Sequence, residues 1–434
     1  MEIHVSHTPS ISGCLTVPSS KSQTVRALLL ALLGDGTSVI RNMLDSDDTT
    51  AALECIQALG AAVVITKDDS GITTAHVTGT GLPIQAATKK IFTRNSGITT
   101  RFLLPMLGLA EGDMVFELDC GEQMRSRPIE PLCAALRSLG MTIESGEGPD
   151  IFPLRVSGRL RPRIIEVDGI TSQYISALLL SLPWLDDPSE IFVNNLNERP
   201  YVEMTVRSLE TLGVSVGWTR DGVIDIFKIQ GGARVNGFDR SIPADFSSAS
   251  CLIAAGVLLA GAVTLEGFDF DDPQGDKRLI EIVREMGADI SVNGSTLQVK
   301  GGRELVGIRI DCNDIPDLVP ALAVIGTAAR GVTELVNVPQ ARLKETDRIR
   351  SMATELAKMG ARISEVDDGL RIEHSEIRGA ALHGYSDHRT IMALSIAGLI
   401  ARGSTIIDTA EGVSKTYPEF VRDIVSLGAN MKME

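Results

Sequence analysis

One pattern recurs six times along this chain and restricts what it can fold into. A helical apolar stretch ends in Leu-Gly or Met-Gly and runs straight into a short strand, at Leu59-Gly60, Leu139-Gly140, Leu212-Gly213, Met286-Gly287, Met359-Gly360 and Leu427-Gly428. The period is roughly 70 to 80 residues, as expected when one supersecondary unit is repeated and stacked. Each glycine stands where a helix C-terminus turns left-handed, and strands at 61–66, 141–144 and 288–292 follow directly. Each unit carries a second helix, beginning near Ser22, Ser96, Ser172, Ser247, Pro316 and His388. Segments such as 25–33, 103–109 and 252–259 are apolar nearly all round, which predicts that these helices are buried and the Leu-Gly helices lie outside. The unit then reads βαβαββ, and the class is α/β (α+β).

The chain has 434 residues, so three units fill one domain and six fill two similar ones, with a boundary in 237–244. A cleft between two such bodies is the expected place for an active site, closed by domain motion. A solenoid, in which the repeat is architecture alone, is the competing reading.

A net charge of −15 argues against nucleic acid and acidic membrane surfaces as partners. Small anions remain open, because salt screens distant charge beyond about 8 to 10 Å. Residues 1–12 contain no signal or transit pattern, and no apolar run reaches the roughly 20 residues of a membrane span. A cytoplasmic protein is expected. Cys14, Cys55, Cys120, Cys133, Cys251 and Cys312 are too scattered for a metal site and read as small apolar residues in a reducing compartment.

The buried helix starts weigh against simple architecture. A helix N-terminus offers free N–H groups to anions. In the first half the starts read Pro18-Ser19-Ser20-Lys21-Ser22-Gln23 with Arg26, Arg94-Asn95-Ser96-Gly97 with Arg101, and Thr171-Ser172-Gln173. Hydroxyls there serve as N-caps, but capping leaves Lys21 and Arg26 unexplained. In the second half the starts carry Asp245, Asp317 and Asp387. Asp245 and Asp387 read as caps, whereas Asp317 follows Pro316 just inside its helix, where a carboxylate can project outward. Lys344-Glu345-Thr346-Asp347-Arg348 is either a solvated turn or part of the site that Asp317 serves. Arg125, Arg127 and Lys415 are further basic candidates.

These residues resemble the 5-enolpyruvylshikimate-3-phosphate (EPSP) synthase family of enolpyruvyl transferases. The resemblance rests on Pro-Ser-x-Lys-Ser-x-x-x-Arg at 18–26, Asn-x-Gly-x-x-x-Arg at 95–101, Arg-Pro at Arg127, Ser-Gln at Ser172 and Ile-Pro-Asp at Ile315. It continues with Lys-Glu-Thr-Asp-Arg at Lys344, Asp-His-Arg at Asp387 and Lys-Thr-Tyr-Pro at Lys415. It implies the inside-out α/β barrel of the enolpyruvyl transferase fold: one domain of 19–242, the other of 243–434 completed by 1–18, and the active site between them. The implied reaction transfers the enolpyruvyl group of phosphoenolpyruvate to the 5-hydroxyl of shikimate 3-phosphate, in the shikimate pathway that glyphosate inhibits. A monomer without metal or organic cofactor is implied as well. Carried over, Lys21, Ser22, Arg26, Thr171, Ser172, Gln173, Asp317 and Lys344 would hold shikimate 3-phosphate. Lys21, Gly97, Arg125, Gln173, Arg348, Arg389 and Lys415 would hold phosphoenolpyruvate. Asp317 would be the base and Glu345 the acid, with Lys21 assisting catalysis.

Three departures accompany the resemblance. Ser96 and Ile98 replace the usual Ala and Thr. The 121–128 segment is one residue short, which leaves Arg125 and Arg127 as alternatives. Glu198-Arg199 replaces Ser-Lys, which leaves the phosphate contact there open. The alternatives are a sister enolpyruvyl transferase acting on UDP-N-acetylglucosamine, with Cys120 as its loop cysteine, and a non-catalytic anion-binding protein.

Overall fold

The computed structural model describes residues 1–69, 71–146, 148 and 150–434. Its described strands form six four-stranded sheets with one shared topology. In the second repeat, Lys90–Phe92 runs parallel to Phe116–Asp119, which pairs antiparallel with Leu154–Ser157, and Thr142–Ser145 forms the far edge. A parallel pair needs a crossover, and the buried helix Gly97–Met106 supplies it. The helix Glu130–Ser138 then connects the second and third strands. This is the βαβαββ unit.

The chain divides into two compact units, Ser19–Ile242 and the pair Met1–Pro18 with Pro243–Glu434. Pairing between distant segments closes the repeats at their ends. Asp239–Ser241 runs parallel to Thr37–Arg41 as the edge strand of the first repeat. Two N-terminal strands join the C-terminal unit: Gly13–Thr16 pairs parallel with Ala262–Glu266, and Ile3–Ser6 sits between Ser404–Ile407 and Met431–Met433.

Each unit has its own apolar core. The helices Lys21–Leu33, Gly97–Met106 and Ser172–Leu179 fill one, and Phe246–Leu258, Val319–Ala328 and His388–Ile400 fill the other. Almost every residue of these helices is buried, so their apolar character all round is explained. Close approach of sheet to helix requires small residues: a Cβ on Gly398 would lie 2.9 Å from Cβ of Val5. The outer helices stop at the six repeated glycines, all left-handed, from φ 79° at Gly213 to φ 108° at Gly287. The fifth buried helix departs from the others. Pro316 and Pro320 remove two donors from its first turns, and a 3₁₀ turn, Pro316–Leu318, precedes Val319–Ala328. Among the described residues no helix is long and apolar enough to cross a membrane.

Candidate active site

In the unit Ser19–Ile242, Ser20, Ser96 and Thr171 cap the three buried helices, accepting from the N–H groups of Gln23, Thr99 and Gln173. Lys21 opens the first helix and its Nζ lies 3.1 Å from Asp48, a mostly buried pair. Arg26, one turn on, is buried under the ring of Phe102. Its guanidinium donates to Thr205 Oγ1 at 2.8 Å, to the Ser22 carbonyl at 2.9 Å and to the Tyr201 carbonyl at 2.8 Å.

At the second start, Gly97 faces a guanidinium. A Cβ there would lie 2.4 Å from Nη1 of Arg127 and 3.4 Å from Nη1 of Arg101. Arg101 also donates to Gln173 Oε1 at 2.7 Å, linking the second and third starts. Arg125 points elsewhere. It ends a single helical turn, Glu122–Arg125. Its guanidinium is engaged by Asp119 at 2.7 and 2.9 Å and by the Phe152 carbonyl at 2.9 Å.

The third start meets a carboxylate. Oε2 of Glu198 accepts from Ser172 Oγ at 2.6 Å, Ser172 N at 3.1 Å and Thr171 Oγ1 at 3.2 Å.

The unit containing Pro243–Glu434 is organised around Arg348, which is buried. Its Nη1 donates to Asp317 Oδ1 at 2.6 Å, Nη2 to Glu345 Oε2 at 2.8 Å, and Nε to Asp387 Oδ2 at 2.9 Å. Arg389 lies beside it, 3.9 Å from Asp317. Nε and Nη1 of Arg389 are buried without a hydrogen-bond partner among the described residues. A desolvated guanidinium with idle donors is costly unless an anion completes it. Asp245 and Asp387 cap their helices, accepting from Ser248 N and from Arg389 N and Thr390 N.

Burial alone would raise the Asp317 pKa, but Arg348, then Lys344 and Arg389, outweigh it and hold the carboxyl well below its usual range. Asp276 goes the other way. Burial, reinforced by Asp317, pushes it up to about 7 against a hydrogen bond from Ser247 and the charge of Arg389. Lys415 is buried at the end of the turn Ala410–Lys415.

Sequence reasoning missed three supporting groups. Asp48 reads as the first turn of a capped helix, and Asp276 lies in a short turn with no helical period to mark it. Glu355 lies mid-helix, yet it accepts from His383 N at 2.9 Å and from the Tyr385 hydroxyl at 2.8 Å. It thereby holds the turn in which Tyr385 and Ser386 are both left-handed, directly ahead of Asp387 and Arg389. Strained non-glycine residues persist only where their surroundings fix them.

A family model for EPSP synthase (3-phosphoshikimate 1-carboxyvinyltransferase) matches residues 5–424. The 3-phosphoshikimate 1-carboxyvinyltransferase of Acetivibrio thermocellus is 43% identical over 420 residues, covering 97% of each chain. That of Methanocaldococcus jannaschii is 38% identical over 436 residues, covering 99% of each. The EPSP synthase structure from Acinetobacter baumannii matches with a TM-score of 0.81 at 26% identity over 99% of both chains. An enolpyruvyl transferase of Streptomyces tendae shares the fold, with a TM-score of 0.80 at 19% identity over 99% of this chain and 98% of the other. The repeats, the two sets of helix starts and matches spanning nearly the whole sequence agree: this chain belongs to the EPSP synthase family.

Proposed function

We propose that this chain transfers the enolpyruvyl group of phosphoenolpyruvate to the 5-hydroxyl of shikimate 3-phosphate and releases phosphate. The observation that supports this most is Arg348, a buried guanidinium carrying Asp317 and Glu345 together beside Arg389 with its idle donors. A pure binding protein needs the cations but has no use for two carboxylates facing them.

Two anions must come within reacting distance, and unit charges 4 Å apart near a protein surface repel by about 4 kcal/mol. Fixed cations offset that, with Arg suited to forked oxygens and Lys acting as a point charge. Residues of both units serve one reaction. Lys21, Ser22, Arg26, Thr171, Ser172, Gln173, Asp317 and Lys344 take the acceptor, and Lys21, Gly97, Gln173, Arg348, Arg389 and Lys415 take phosphoenolpyruvate. Arg127 is the better choice than Arg125 for the donor's carboxylate. Arg127 faces Gly97, whereas Arg125 is already forked onto Asp119.

Glu345 protonates the methylene carbon of phosphoenolpyruvate, and positive charge develops at the adjacent carbon. The acceptor hydroxyl oxygen bonds to that carbon while Asp317 takes its proton. Loss of phosphate, with return of a methyl proton, regenerates the double bond. Asp317 is ionised at neutral pH but weakly basic while Arg348, Lys344 and Arg389 hold it. A bound substrate anion offsets those charges and makes Asp317 a stronger base when it is needed.

The UDP-sugar reading needs a reactive cysteine. Cys120 is buried, and burial first, then Asp119, pushes its thiol up to about 12, the wrong direction for a proton donor or nucleophile. The proposal includes a monomer working in the cytoplasm. Incubation with both substrates tests it: phosphate release that requires shikimate 3-phosphate, together with the enolpyruvyl ether by mass spectrometry, is expected. Phosphate release from phosphoenolpyruvate alone, or no ether, overturns it.

A further inference from the structure

We propose that Glu198 is an internal anion seated where the acceptor's phosphate binds, and that it sets how tightly phosphorylated acceptors are held. This rests on the proposed function, in which Thr171 and Ser172 help to hold shikimate 3-phosphate. The Glu198 side chain belongs to a residue only 1% exposed, and one of its oxygens takes both hydroxyls and the free Ser172 N–H at the start of Ser172–Leu179. Those are the donors that a phosphate oxygen would use. A carboxylate and a phosphate cannot share them, because both are anionic acceptors and repel at contact distance.

The backbone fixes Glu198 in this place. It adopts the left-handed conformation, φ 57° and ψ 41°, which a non-glycine residue takes only under constraint. On one side Asn197 is tied to the third buried helix's approach, its N–H donating to the Gly169 carbonyl at 3.1 Å and its Nδ2 to the Ile170 carbonyl at 3.3 Å. On the other side Arg199 is forked onto the buried Asp225, with Nη1 at 2.6 Å from Oδ1. The chain is clamped on both sides of Glu198, leaving its side-chain torsions as the means of yielding the seat. An arriving acceptor phosphate therefore turns the carboxylate away and loses affinity in doing so, and the departing product is displaced by its return.

Glu198→Ser and Glu198→Gln in the full chain test this, with binding followed by calorimetry. Shikimate 3-phosphate should bind Glu198→Ser about tenfold or more tightly than the unsubstituted protein, as removal of a contacting like charge requires. Glu198→Gln should move the same way by less, because the amide oxygen still accepts, and it provides the answer should the serine variant fail to fold. Unphosphorylated shikimate and phosphoenolpyruvate should bind both variants as before. Unchanged or weakened binding of shikimate 3-phosphate overturns the proposal, as does equal tightening for unphosphorylated shikimate. Failure of the unsubstituted protein to make the enolpyruvyl ether overturns the functional reading. Turnover by that protein without tightening in the variants overturns the role of Glu198 alone.

Discussion

The two units share one βαβαββ scaffold and three buried helices apiece, yet their helix starts carry opposite chemistry. In Ser19–Ile242 the caps are hydroxyls, and the buried Arg26 rests on neutral oxygens from Thr205, Ser22 and Tyr201. In the unit containing Pro243–Glu434 two caps are aspartates, and the buried Arg348 rests on three carboxylates. The scaffold delivers helix N-termini in both units, and the side chains placed there set which charges each unit presents.

The largest expected contrast follows from those two arginines. Arg348→Met strands three carboxylates and should cost about 3 to 5 kcal/mol, as when one member of a buried ion pair is removed. Arg26→Met leaves neutral acceptors and should cost about 1 to 3 kcal/mol. Urea denaturation of both variants checks this, and equal losses would erase the distinction. Next in size, Arg127→Lys should raise the KM for phosphoenolpyruvate about 100-fold through lost forked contacts and misplacement. Arg125→Lys should leave it nearly unchanged, and steady-state kinetics that reverse this order would restore Arg125 as the ligand.

A smaller effect is expected from Glu355→Gln, a positioning residue. Loosening the Tyr385-Ser386 turn should lower kcat/KM for phosphoenolpyruvate about tenfold with little change in the acceptor's KM. Rescue of kcat/KM in Glu355→Asp, but not in the amide, would show that charge holds the turn. A last contrast lies in stability against pH. Asp276 holds its proton more tightly folded than unfolded, so its contribution is lost as pH climbs from about 4 to about 7. Asp317 has a depressed folded value, so its contribution is present above about pH 4 and lost below. Tm profiles should show Asp276→Asn flattening the decline between about pH 4 and 7, while Asp317→Asn removes a loss at acid pH.

Local patterns were legible in the sequence because they are local. A glycine cap follows its own helix, and an apolar run declares its own burial, so the repeat could be read without neighbours. Lys344, Glu345 and Arg348 were legible as a charged run, and their convergence on Asp317 came with the fold. Pairing across the whole chain was less accessible: a second N-terminal strand, Gly13–Thr16, finds its partner roughly 250 residues on. Arg125 and Arg127 are indistinguishable by spacing, and they are separated by the approach of Arg127 to Gly97 and the pairing of Arg125 with Asp119. Glu198 looks like any polar residue before a helix, and its burial against Ser172 depends on two segments meeting.

That two carboxylates hung on one guanidinium divide the proton work is tested most directly by phosphate release in Asp317→Asn and Glu345→Gln, alongside calorimetric binding of shikimate 3-phosphate. Each substitution is predicted to slow release by about 100- to 10,000-fold, the usual worth of a positioned acid or base, while the acceptor still binds. Release at the unsubstituted rate in both variants would contradict the assignment.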